Sequence, residues 1–91
     1  MSFNRIAILG LGLIGGSFAK ALKHANPAIH ISGFDRDEVL NLAFLEKIID
    51  SKLQEINDAL SCEIIFIALP IESSLDVFKT ISPQLNENQI I

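Results

Sequence analysis

Residues 6–21 read I-A-I-L-G-L-G-L-I-G-G-S-F-A-K-A. An apolar run from Ile6 to Leu9 passes directly into Gly10, Gly12 and Gly15, and then into residues that suit a helix. This is the G-x-G-x-x-G pattern after a strand and at the start of a helix, the context in which it marks a dinucleotide site. Each glycine has its own task. Gly10 permits the tight turn out of the strand, Gly12 lets the backbone approach a pyrophosphate, and Gly15 lets the helix pack closely on the sheet. The backbone amides of Leu13 and Ile14, at the positive end of the helix dipole, are the expected phosphate donors. Asp35 lies twenty residues beyond Gly15, where an acidic side chain binds a ribose 2′-hydroxyl.

Outward from this stretch the chain alternates strand and helix. Residues 3–9 are continuously apolar after Arg5 and predict a strand buried on both faces. Residues 14–25 predict a helix with Phe18, Ala21, Leu22 and Ala25 on its inner stripe, ended by Asn26-Pro27. Residues 29–34 predict the second strand, with Asp35 at its C-terminal end. Asp37 reads as the N-cap of a helix to about residue 47, with Val39, Leu40, Ala43 and Phe44 inward. Residues 48–50 fit a vestigial strand or a packed loop, and residues 51–60 are weakly helical, with Leu53, Ile56 and Leu60 on one side. Residues 63–69 predict another buried strand. Ser73 or Ser74 is the expected cap of a helix over 75–81, with Leu75, Phe78 and Ile81 inward. Asn86-Glu87-Asn88 reads as a turn, and residues 89–91 as the start of a further strand.

This alternation predicts an α/β fold: a Rossmann-type, doubly wound parallel sheet of four to five strands. Because the last strand stops after three residues, residues 1–91 are read as a fragment of a dinucleotide-binding domain. Its open apolar edge is then expected to leave the fragment marginally stable or self-associating.

Composition removes several function classes. The net charge is −4 with scattered cations, which excludes a nucleic-acid footprint. No apolar run approaches the length of a membrane span, and Met1–Arg5 lead straight into the predicted first strand, so no signal peptide is expected. Cys62 is the single cysteine. It fits a reducing, cytoplasmic setting and has no histidine at a sensible spacing, so it reads as inert. The acidic residues show no metal-ligand spacing. His24 ends a helix and His30 begins a strand at the far end of the sheet from the crevice, so neither is read as catalytic.

Three separated blocks go beyond the generic pattern: G-L-G-L-I-G-G-S at 10–17, G-F-D-R at 33–36 and I-A-L-P-I at 67–71. In order and spacing they resemble the prephenate dehydrogenase family of tyrosine biosynthesis. Gly16 and Ser17 separate the chain from hydroxyacid dehydrogenases, which usually carry methionine where Ile14 stands. The segment at 40–50, L-N-L-A-F-L-E-K-I-I-D, looks like the family's second helix and turn, although Lys47 stands where many relatives have glycine.

The resemblance implies an oxidoreductase that decarboxylates prephenate oxidatively to 4-hydroxyphenylpyruvate, or acts on arogenate, and passes a hydride to a nicotinamide. It places Ala68, Leu69, Pro70 and Ile71 near the adenosine and ribose. It also implies a histidine and basic side chains in a helical, dimer-forming domain outside these 91 residues, so this part is expected to bind cofactor without catalysing. Asp35 has the alternative role of a helix cap, for which Asp37 competes. Arg36 is open between stacking on adenine, solvent, and holding a 2′-phosphate. Since Asp35 would repel that phosphate, NAD is expected over NADP. Two other readings use the same site: a regulatory nucleotide-sensing module, and the cofactor domain of a hydroxyacid dehydrogenase or imino-acid reductase.

Overall fold

The computed structural model describes residues 4–85. Four parallel strands, β1 (Arg5–Leu9), β2 (His30–Phe34), β3 (Ser51–Lys52) and β4 (Ile64–Ile67), form one sheet in the order β3-β2-β1-β4. Helices α1 (Leu13–Ala25), α2 (Asp37–Leu45) and α3 (Ile71–Ile81) connect or follow them, with a 3-10 helix at Ile56–Ser61 before β4. The chain winds outward from β1 through β2 to β3 and then crosses to the other side of β1. The strand order therefore reverses at β1 and β4, and ligands of such sheets bind above that point.

The alternation of side chains along β1 divides the core in two. Ile6 and Ile8 join Ala19, Ile31, Leu40, Ala43 and Ile49 beneath α1 and α2, with Phe18 of α1 stacked on Phe66 of β4 at 4.2 Å between ring centroids. Ala7 and Leu9 join Ala59, Cys62, Ile65, Val77 and Ile81 on the opposite face, beneath α3 and the 3-10 helix. Helices on both faces of a parallel sheet are the doubly wound arrangement expected from the sequence.

Several local expectations are corrected. On α1 the buried residues are Gly15 and Ala19, with Phe18 and Leu22 half-buried and Ala21 and Ala25 exposed. Close approach of the helix at Gly15 turns that stripe inward. Asp37 is the first residue of α2 rather than its cap, which is Arg36. On the inner face of α2, Leu40 and Ala43 are buried but Phe44 is exposed. The third strand lies at Ser51–Lys52, inside the stretch read as weakly helical, and the helical turn there is a 3-10 helix that starts only at Ile56. Helix α3 begins at Ile71 with Pro70 as its cap. Ser73 and Ser74 are inside it, and the Ser74 hydroxyl donates to the Leu69 carbonyl (2.8 Å). Val77 and Ile81 face the sheet, while Leu75 and Phe78 remain exposed. The turn and strand expected over 86–91 lie outside the described residues.

The departure at Lys47 has a structural counterpart. Lys47 has φ +62°, in the left-handed region. Its N–H donates to the Phe44 carbonyl (3.1 Å), and the Ile48 N–H donates to the Ala43 carbonyl (2.9 Å). These two bonds form a Schellman motif, whose turning residue is most often glycine. A side chain there costs about 1–2 kcal/mol, offset in part by the lower entropy of the unfolded chain. Lys47→Gly is therefore expected to stabilise the chain by roughly 0.5–1 kcal/mol, read as a higher denaturant midpoint with an unchanged slope.

At the N-terminal end of the sheet, Lys23 of α1 pairs with Asp50 at 2.5 Å and donates to the Ile29 carbonyl (2.6 Å). Asp50 also accepts the Ile31 N–H (2.8 Å). Burial pushes the Asp50 carboxyl up, but the bond from Lys23, the Ile31 amide and the charges of Lys23 and His30 outweigh it and hold the pKa below the ordinary 3.8. A depressed carboxyl contributes stability that is fully present above its unfolded pKa and lost as pH falls through the folded value. Asp50→Asn is accordingly expected to destabilise the chain near neutral pH and to reduce its loss of stability below about pH 4, measured by urea titration at several pH values.

Candidate dinucleotide site

The glycine loop joins β1 to α1 above the point where the strand order reverses. Gly10 has φ +101°, a conformation that L side chains rarely adopt, and an added Cβ would lie 2.5 Å from the Ala68 carbonyl oxygen. At Gly15 an added Cβ would lie 1.9 Å from the Gly10 carbonyl oxygen, so here the helix touches the turn that precedes it. Gly12 is different. Its φ of −70° suits any residue, and among the described residues nothing beyond its chain neighbours lies within 4 Å of where a Cβ would stand. Nothing among the described residues around it requires glycine at this position. The space beside it is open, as a site for a closely approaching ligand demands.

Gly12 is the N-cap of α1 and has no side chain to satisfy the first turn, in which there is no acidic residue. The early amides of a helix have no intrahelical acceptor. Leu13 and Ile14, the first two helical residues, thus present N–H groups and the positive end of a helix dipole to this opening. Their side chains are strongly exposed, at 88% and 70%. The donor set suits a pyrophosphate.

Asp35, just beyond β2, reaches back to the loop. Its Oδ2 accepts the Leu11 N–H (2.7 Å) and its Oδ1 accepts the Arg36 N–H (2.6 Å). Asp35 therefore sits beside the glycine loop and is not the cap of α2. Arg36 is exposed at the start of that helix, followed by Asp37 and Glu38 in its first turn. On the β4 side, Ala68 and Leu69 serve the packing. Ala68 lies under Gly10 and Gly15, its N–H donating to the Leu9 carbonyl (2.8 Å), and Leu69 packs into the half of the core beneath α3. Pro70 and Ile71 open α3 at the same end of the sheet. The residues read from the sequence as cofactor-binding are thus gathered at the C-terminal ends of β1, β2 and β4.

Two participants were not singled out by the sequence. The side chain of Leu11 is buried against β2, where an added Cβ on Gly33 would meet Leu11 Cδ1 at 2.8 Å. Gly33 was visible only as part of G-F-D-R, and nothing in the spacing ties it to Leu11. A cavity of about 250 Å3 also adjoins Asp35 toward β3, lined by Asp37, Leu40, Asn41, Lys52 and Leu53 among others. Lys52 donates to Asn41 Oδ1 (3.1 Å) at its rim and lies over the Phe44 ring.

Away from this end, His30 Nε2 and Ser51 Oγ lie 3.0 Å apart, on the side of the sheet remote from the loop. Cys62 is buried, and that burial pushes its thiol pKa up. Among the described residues no group of three or more His, Cys, Asp or Glu is placed to hold a metal ion, and no helix is long and apolar enough to cross a membrane.

Residues 18–91 match the family model described as "Prephenate dehydrogenase, nucleotide-binding domain". The match begins after Gly15, so it is independent of the glycine loop. The chain is 45% identical over 78 residues to a prephenate dehydrogenase of Lactococcus lactis subsp. cremoris, covering 86% of this chain and 22% of that protein. It is also similar to two solved structures, each at 26% identity. The first is prephenate dehydrogenase from A. aeolicus in complex with hydroxyphenyl propionate and NAD+, with a TM-score of 0.88 over 99% of this chain and 33% of that one. The second is Synechocystis arogenate dehydrogenase, with a TM-score of 0.82 over 94% and 31%. The chain thus spans about a fifth to a third of the length of these relatives. With three blocks of sequence, the sheet order and the family model in agreement, the chain belongs to the prephenate dehydrogenase nucleotide-binding domain family.

Proposed function

We propose that residues 1–91 form the NAD-binding part of a dehydrogenase acting on prephenate or arogenate. The observation that carries this reading is the opening at Gly12, a glycine that its own fold does not require, facing the first-turn amides of α1. A pyrophosphate fits there, with Leu13 and Ile14 as donors, and the ribose of the adenosine half falls beside Asp35. Gly10 and Gly15 shape the loop, and Ala68, Leu69, Pro70 and Ile71 bound the crevice from the β4 side. NAD, when bound, supplies the hydride acceptor for an oxidative decarboxylation.

This chain's own residues hold and orient the cofactor. The carboxylate at the loop, Asp35, is engaged by the backbone N–H groups of Leu11 and Arg36, and no proton transfer or substrate contact is assigned to it. The groups for those tasks, a helical domain and a dimer interface are assigned to the remainder of the longer protein, as the short coverage of the relatives supports. NAD is preferred to NADP because Asp35, Asp37 and Glu38 concentrate negative charge where a 2′-phosphate would stand. Arg36 is then a candidate to stack on the adenine. A cytoplasmic location accords with the buried Cys62 and the absence of a membrane-crossing helix among the described residues.

Calorimetric titration tests the reading. NAD is expected to bind at one site more tightly than NADP, and Asp35→Ala is expected to weaken NAD while narrowing the gap between the two. Tighter binding of NADP would shift the specificity role to Arg36.

A further inference from the structure

We propose that Asp35 is also the positioning residue that holds the glycine loop in its pyrophosphate-binding shape, an inference that rests on the nucleotide site proposed above. The loop is fastened to the end of β2 at three points. The Gly10 N–H donates to the Phe34 carbonyl (2.8 Å), the Leu11 N–H donates to Asp35 Oδ2 (2.7 Å), and the Leu11 side chain is buried where Gly33 has no Cβ. Gly12, the next residue, has open space where a side chain would stand. The placement of Gly12 and of the amides after it is therefore inherited from Leu11.

Of the three fastenings, only the carboxylate belongs to a side chain that also faces the ligand. Each of its oxygens takes one backbone N–H, from Leu11 and from Arg36. Because a carboxylate oxygen has two acceptor sites, ribose hydroxyls can bond to it without releasing the loop. Asparagine cannot reproduce this, since its NH2 would confront one of the two N–H donors. Serine is too short to reach both. Ribose recognition and pyrophosphate affinity are then set by one side chain, and replacing it to admit NADP loosens the phosphate loop as well.

The two roles differ in the sign of one measurable effect. If Asp35 only bound ribose, removing its negative charge from beside an anion site would leave inorganic pyrophosphate binding unchanged or make it tighter. As a fastening, its loss weakens pyrophosphate, although that probe contains no ribose.

The experiment is titration of the 91-residue chain with inorganic pyrophosphate and, separately, with NAD, in the wild type, Asp35→Ala and Asp35→Asn. Backbone amide exchange at Leu11 is followed in parallel. The expected result is a pyrophosphate dissociation constant about tenfold higher in Asp35→Ala, the loss of one charge-assisted hydrogen bond, with faster exchange at Leu11. Asp35→Asn, which keeps one acceptor, should show a smaller change of the same sign, and it carries the comparison if the alanine variant does not fold. Unchanged or tighter pyrophosphate binding in the variants, with NAD weakened, would overturn the positioning role and leave the ribose role standing. A folded wild type that bound neither probe would overturn the nucleotide site itself.

Discussion

Gly12→Ala leaves the melting curve of the chain in place and sharply weakens its affinity for NAD: this is the largest functional effect expected from a single methyl group. The φ of −70° and ψ of −156° at Gly12 are accessible to alanine, and among the described residues no heavy atom beyond its chain neighbours lies within 4 Å of the new Cβ. Alanine is a poorer N-cap than glycine, but it also restricts the unfolded chain. These effects are each about 0.5–1 kcal/mol and opposite in sign. Stability is therefore nearly unchanged. The methyl group instead occupies the space through which a pyrophosphate must approach the amides of Leu13 and Ile14. Overpacking of about 1–3 kcal/mol corresponds to roughly 5- to 150-fold in affinity. Thermal melting and calorimetry on the same sample check both halves.

Gly15→Ala has the opposite profile. The new Cβ would lie 1.9 Å from the Gly10 carbonyl oxygen, 3.0 Å from its carbon and 3.3 Å from Ala68 Cβ. The two nearest atoms belong to the backbone, so no rotamer change relieves the contact. Either α1 moves away from the sheet, uncovering Ala19 and separating Phe18 from Phe66, or the turn at Gly10 is rebuilt. We expect a destabilisation of about 3 kcal/mol or more, a large part of the roughly 5–15 kcal/mol that holds a small domain folded. Chemical denaturation measures it directly. Two glycines three residues apart are thus separable, one required by the ligand and the other by the fold.

Much of this architecture was legible because the informative features are local. The run Ile6–Leu9 and the three glycines specify a strand, a turn and a helix in consecutive residues, and Asp35 falls at a fixed distance along a βαβ unit. The Lys47 departure was also readable, since a glycine position occupied by lysine marks a strained turn, here with φ +62°.

What was not legible depends on how elements meet. Helix α3 carries two overlapping apolar stripes, Leu75-Phe78-Ile81 and Val77-Ile81, and spacing alone does not choose between them. The choice follows from where the helix starts. Pro70 begins it four residues earlier than a serine cap would, and Val77 then turns inward.

Over 51–60 the spacing of Leu53, Ile56 and Leu60 fits an α-helix and a 3-10 turn alike. The reciprocal bonding of Glu55 and Asp58 fixes the start of the 3-10 helix. The bond from Leu11 to Asp35 joins a backbone amide to a side chain 24 positions away. No pattern of residue types announces such a contact.

The most direct test of the nucleotide site is an NMR titration of the 15N-labelled chain with NAD, followed amide by amide. The largest shifts are expected at Leu11, Gly12, Leu13 and Ile14, with a second group at Asp35 and Arg36 and no change at Lys23 or Asp50 at the other end of the sheet. Shifts concentrated at that far end, or none at all in a folded sample, would contradict a dinucleotide site at the glycine loop.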